Sequence, residues 1–126
     1  MERKAVLIVE DSDVMRSFLV AALEGQSLEV VEAPTGFEAL KLLPHYAFSV
    51  IVTDINMPDI NGLELISFIK KHPEFQKIPI MVISTERSEE DRRRAMALGA
   101  VDYLVKPFDM EPFRAKVLAI LGEPPS

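Results

Sequence analysis

Five short apolar runs decide what this chain can become. They are "AVLIV" from Ala5, "LEVVEA" from Leu28, "FSVIVTD" from Phe48, "IPIMVIS" from Ile78 and "AVDYLV" from Ala100. Four are rich in Val and Ile and nearly continuous, which predicts strands covered on both faces. The second alternates and so belongs nearer a sheet edge. Each run is followed by a segment of helical character.

The helical segments carry their own punctuation. In "SDVMRSFLVAALEG", Ser12 is a fitting N-cap, Val14, Phe18 and Ala21 share a face, and Gly25 closes the helix. "TGFEALKLL" has Thr35 and Glu38 in capping-box spacing, with Pro44 beyond. "GLELISFIKKH" stops before Pro73. "SEEDRRRAMALG" opens with Ser88 and Asp91 at box-like spacing, has acids in its first turn and ends at Gly99. "DMEPFRAKVLAIL" starts at Asp109 with Pro112 in its first turn, and buries Phe113, Val117 and Ile120 or Leu121. The expectation is an α/β fold: a doubly wound five-stranded parallel sheet, (βα)5, with helices on both faces and right-handed crossovers.

The chain has 126 residues, the size of one domain. We expect a single domain over 1–126, with 121–126 a flexible tail or a linker remnant. A net charge of −6 argues against direct nucleic-acid binding and against anionic membranes. There is no Cys, hence no disulfide framework. The apolar run from Ala5 to Val9 is too short for a signal sequence or a membrane span, so no membrane insertion and a cytoplasmic location are expected.

In an open parallel sheet, ligands bind beyond the carboxyl ends of the strands. At those ends stand Glu10 and Asp11, Asp54, Ser84 and Thr85, and Lys106 followed by Pro107. Grouped carboxylates repel and raise one another's pKa unless a cation joins them. Hard oxygen donors without His or Cys favour Mg2+. Mg2+ beside a hydroxyl and an amine points to phosphoryl transfer, with Lys106 and Ser84 as partners for phosphoryl oxygens. Plainer roles fall to other residues: Asp59 as a turn residue, Arg92 to Arg94 as a solvated helix face, and Tyr103 as a packing residue.

Four motifs, "VLIVEDSDVMR", "VIVTDINMPDINGLEL", "IMVIST" and "GAVDYLVKPF", occur in this order. Together they resemble the receiver domain of two-component response regulators, in its single-domain, CheY-like chemotaxis type, from about Lys4 to Leu121. The resemblance implies the flavodoxin-like strand order 2-1-3-4-5. It implies Asp54 as phosphoacceptor, Asp11 as a direct Mg2+ ligand, Glu10 acting on the metal mainly through water, and Asn56 offering its backbone carbonyl. Ser84 stands at the family's hydroxyl position, Lys106 at its lysine, and Tyr103 at the aromatic position that changes rotamer on activation. A cis Lys106–Pro107 bond is implied as well.

The resemblance further implies a histidine kinase or phosphotransfer protein as phosphodonor, with Met15 and Arg16 as docking candidates. It implies a downstream protein target read by the face of the fourth helix, fifth strand and fifth helix. Catalysis would be limited to the protein's own phosphorylation and dephosphorylation. Thr85 replaces a smaller residue and is expected to crowd Tyr103. Asn56 and Glu86 match the chemotaxis type at positions that tune phosphate lifetime. "VLIVEDSDVM" also resembles the first motif of haloacid-dehalogenase-type phosphatases, with Asp11 as nucleophile and Asp13 as general acid; that reading leaves Asp54 incidental and lacks a later acidic pair. A third reading, a receiver fold that only docks, sits poorly with the complete acid, hydroxyl and lysine set.

Overall fold

A computed structural model describes residues 3–85 and 89–123. The elements alternate as expected: β1 (Lys4–Val9), α1 (Asp13–Ala22), β2 (Leu28–Ala33), α2 (Gly36–Leu42), β3 (Phe48–Asp54), α3 (Gly62–Lys71), β4 (Ile80–Ser84), α4 (Glu89–Leu98), β5 (Asp102–Val105) and α5 (Met110–Leu121). A single 3-10 turn, Leu43–His45, follows α2. The sheet order is β2-β1-β3-β4-β5, with parallel pairing throughout.

Side chains alternate across a strand, so each central strand feeds two cores. Leu7, Val9, Ile51, Ile80 and Val82 face Ala39 of α2, Leu65, Ile66 and Ile69 of α3, and Ala95 of α4. Val6, Ile8, Val50, Val52, Met81 and Ile83 face Leu19 and Ala22 of α1 and Phe113, Val117 and Leu121 of α5. Both faces are therefore covered, which is why β1, β3 and β4 read as continuous apolar runs.

Several expectations need correction. β5 is the second edge strand, so only Tyr103 within it is fully buried. Its run resembles the central strands because Ala100 packs into the core just before the strand begins. The buried residues of α1 are Leu19 and Ala22, with Met15 partly covered beside them, rather than Val14, Phe18 and Ala21; Val14 is 83% exposed. Phe18 still packs at the flank, edge-on to Phe108. α5 buries Leu121, with Ile120 partly covered. Of the expected tail, Leu121 belongs to α5, Gly122 caps it at φ 70° and Glu123 pairs with Lys4 at 2.8 Å; residues 124–126 lie outside the described residues. Ser88, and with it the Ser88–Asp91 box, also lies outside them.

Thr35 accepts from the Glu38 amide at 3.1 Å, but Glu38 pairs with Lys41 instead of returning to close the box. The complete capping box is on α3. Asn61 accepts from the Glu64 amide at 2.9 Å, and the Glu64 carboxylate accepts from the Asn61 amide at 3.1 Å. Two otherwise orphaned amides are satisfied at once. Asn61→Ala should lower unfolding free energy by about 1 kcal/mol. Urea denaturation measures this, and an unchanged midpoint would refute the cap's contribution.

Candidate functional site

The acids meet because of strand order. β1 and β3 are neighbours with Val9 opposite Thr53, so Glu10 and Asp54 leave the sheet side by side. Lys106 follows β5, two strands from β3, and its amide donates to the Ser84 carbonyl at 2.8 Å. Its long side chain returns across the end of β4. The ammonium donates to Glu10 Oε1 at 2.7 Å and to Asp54 Oδ2 at 3.1 Å. Phe108, stacked on Phe113 at 5.8 Å, packs the loop after Lys106 against the core.

Each acid has its own setting. Glu10 is buried, and its second oxygen accepts from the Ser12 amide at 3.0 Å. Asp54 is buried, and its Oδ1 accepts from the Ile55 amide at 2.7 Å. Asp11 is exposed. Carboxylate oxygens of Glu10, Asp11 and Asp54 lie within 4.8 Å of one another. Burial pushes the Glu10 carboxyl above its ordinary value, outweighing the bonds from Lys106 and Ser12. For Lys106 burial works the other way, yet the Glu10 bond and the Asp54 charge win and hold the ammonium above its ordinary value. Among the described residues, no buried side-chain nitrogen or oxygen lacks a partner.

Three oxygen donors at this spacing fit a hard divalent cation, and one of them, Asp11, faces solvent where such an ion would enter. Ser84 is fully buried at the end of β4, beside β3. Asn56 is exposed in the loop after Asp54. Tyr103 is 4% exposed and packs inward with Ile80, Val82 and Ala95. Thr85 is exposed. Met15 is half-buried against the α1–α5 core. Arg16 is tied to Glu10, Asp13 and Glu32. Glu86 lies outside the described residues. The Lys106–Pro107 bond is cis.

The chain matches the family of response regulator receiver domains over residues 6–118. It belongs to that family. The chemotaxis protein CheY1 of Helicobacter pylori is 36% identical over 119 residues, covering 93% of this chain and 96% of its own. The chemotaxis response regulator CheY4 of Vibrio cholerae superposes with a TM-score of 0.87 at 33% identity, covering 94% of this chain and 99% of that one. A probable transcriptional regulatory protein of Picosynechococcus is 36% identical over 123 residues, but the chain spans only 48% of its length. Receiver domains are signalling proteins, phosphorylated by histidine kinases and acting on downstream targets, not conventional enzymes. Neither these relatives nor the geometry supports the phosphatase reading, since Asp13 is bound to Arg16 and stands apart from the acid cluster. Among the described residues no helix is long and apolar enough to cross a membrane.

Three positioning features of this receiver domain were not anticipated from the sequence. Gly62 has no room for a side chain, because a Cβ there would lie 2.1 Å from the Asp54 carbonyl oxygen. Asp59, expected to be only a turn residue, accepts from the Gly36 and Phe37 amides at 3.2 and 2.9 Å and so fastens the loop after Asp54 to α2. Gly36 permits that approach; a Cβ there would lie 2.9 Å from the Ile60 Cβ. The third is the network of Arg16. Of these, only the Asp13–Arg16 pair, at i,i+3 spacing on α1, carries a readable local signal.

Proposed function

We propose that this receiver domain, acting as one unit over 1–126, accepts a phosphoryl group on Asp54 from a phosphohistidine of a histidine kinase or phosphotransfer protein. It then passes the signal on by changing which protein it binds. The observation that carries this reading is the convergence of Glu10, Asp11 and Asp54 with the Lys106 ammonium between two of them.

Mg2+, held by Asp11, Asp54 and the Asn56 carbonyl, with Glu10 acting through water, would neutralise charge on the phosphoryl oxygens. The chain's own groups do the rest. A carboxylate oxygen of Asp54 attacks phosphorus in line. The P–N bond to the donor imidazole breaks, and its electron pair leaves with the ring nitrogen. Lys106, already fixed between Glu10 and Asp54, takes a phosphoryl oxygen as a further acceptor. Binding donor and acceptor in line supplies the rate through orientation.

The aspartyl phosphate carries about −2 charge. Its oxygens draw in the Ser84 hydroxyl, and the loop beyond β4 follows. Tyr103, on β5 beside β4, changes rotamer with that loop, and the α4–β5–α5 face changes its preferred partner. This is a population shift, driven by contacts made in only one state. Met15 and Arg16 lie on α1 beside the acids and form part of the surface the phosphodonor meets. The domain works in the cytoplasm, and water within the same site later removes the phosphate.

With Mg2+ and a small phosphodonor such as acetyl phosphate, wild-type protein should take up one phosphoryl group per chain. Asp54→Asn should take up none, as intact-mass spectrometry reads directly. Equal labelling of the variant would overturn the assignment.

A further inference from the structure

We propose that Arg16 is a positioning residue: by holding the Glu10 carbonyl, it fixes the β1–α1 loop that presents Asp11 to the cation. This rests on the cation-dependent reading above.

The guanidinium serves three separate pieces of chain with three nitrogens. Nη1 donates to the Glu10 carbonyl at 2.9 Å, Nη2 to Asp13 Oδ1 at 2.6 Å and Nε to Glu32 Oε1 at 3.2 Å. Glu10 directly follows β1, Asp13 begins α1 and Glu32 lies near the end of β2. Only a planar fork with several N–H donors spans such a set. The Arg16 side chain is 17% exposed, so the network is partly shielded from solvent, while Asp13 is 88% exposed.

Glu10 is thereby held at both ends. Lys106 and the Ser12 amide take its carboxylate, and Arg16 takes its carbonyl. Ser12 is fixed in turn, because its side chain caps α1 by accepting from the Met15 amide at 3.2 Å. Asp11 lies between these two anchored residues, and no side chain among the described residues holds its carboxylate. Its place in the acid cluster therefore follows from the backbone on either side, and Arg16 holds the upstream part of that backbone.

Charge and position predict opposite signs, which makes the idea testable. Removing the Arg16 cation from the loop that carries the acid cluster should, by Coulomb attraction alone, tighten Mg2+ binding. Removing a support for a ligand loop should weaken it, typically by about tenfold or more. We expect weaker binding. The experiment is a Mg2+ titration of wild type, Arg16→Ala and Arg16→Lys, followed by amide NMR shifts, with hydrogen exchange of the Ser12 amide measured without metal.

Arg16→Ala should bind Mg2+ about tenfold more weakly, and its Ser12 amide should exchange faster. Arg16→Lys keeps the charge but not the fork, so it should also bind more weakly. It decides the matter if the alanine variant fails to fold. Binding as tight as wild type or tighter in a folded variant, with Ser12 exchange unchanged, would overturn the proposal. Absence of saturable Mg2+ binding in wild type would instead overturn the functional reading. Ser12 exchange would then still decide whether Arg16 holds the loop.

Discussion

A methyl group added at residue 62 should destabilise this protein by about 3 kcal/mol or more, near the upper end for overpacked sites. The Cβ of Gly62→Ala would lie 2.1 Å from the Asp54 carbonyl oxygen and 2.9 Å from the Ile55 Cα. Both neighbours are backbone, so no rotamer change relieves the clash. Helix propensity pulls the other way but favours alanine by only about 1 kcal/mol, so the clash wins. Set against a total stability of roughly 5–15 kcal/mol, the loss is large. The obstructed backbone is that of Asp54 itself, so phosphate uptake should fall with stability. Gly25→Ala is the comparison: φ there is 80° but nothing lies within 4 Å of the added carbon, so its cost should be the left-handed penalty alone, about 1–2 kcal/mol. Urea denaturation of both variants tests the ordering. A Gly62→Ala protein as stable as Gly25→Ala would show that α3 can withdraw from β3 at little cost.

That contrast marks how far the sequence could be read. Order, direction and alternation of the elements were legible because burial on two faces leaves continuous apolar runs, and the runs at Ala5, Phe48 and Ile78 behave this way. The run at Ala100 misled for a local reason: its first residue is buried before the edge strand starts. Val14 misled because helical spacing identifies a face without saying which side meets the sheet. At the site, Glu10, Asp54 and Lys106 were legible because strand ends converge in any sheet of this type. Gly62 and Asp59 were not, since their partners are 8 and 23 positions away in the chain, and of the partners of Arg16 only Asp13 is a helical neighbour, while Glu10 and Glu32 lie 6 and 16 positions away. No local pattern specifies which backbone a glycine must let pass. Nor does a pattern specify which amides an aspartate will cap across a loop. Chemistry was visible in residue type, whereas support for that chemistry needed the fold.

The site itself should be a source of instability that Lys106 keeps in check. Lys106→Met leaves two carboxylates, on Glu10 and Asp54, buried without their shared cation. Breaking a buried pair by removing one partner costs roughly 3–5 kcal/mol. The metal-free variant should fall near the lower end of that range, because Glu10 is already raised by burial and can take up a proton. In wild type the Lys106 pKa is raised, so its contribution is fully present below its ordinary value of 10.5 and is lost as pH rises through the folded-state value. The raised Glu10 pKa has the same sense: it favours the fold below its ordinary value of 4.5 and loses that effect as pH rises through the folded-state value. In the variant Glu10 should rise further, so the gap to wild type should narrow as pH falls. Mg2+ should restore more stability to the variant than to wild type, since a more negative pocket binds the cation more tightly. Phosphate uptake should nevertheless stay about 100-fold down or lower, because the ion does not replace a donor aimed at the phosphoryl oxygens. Denaturation midpoints with and without Mg2+, together with acetyl-phosphate labelling rates, separate the two effects. If Lys106→Met matched wild type in metal-free stability, the ammonium would not be what keeps these two acids together.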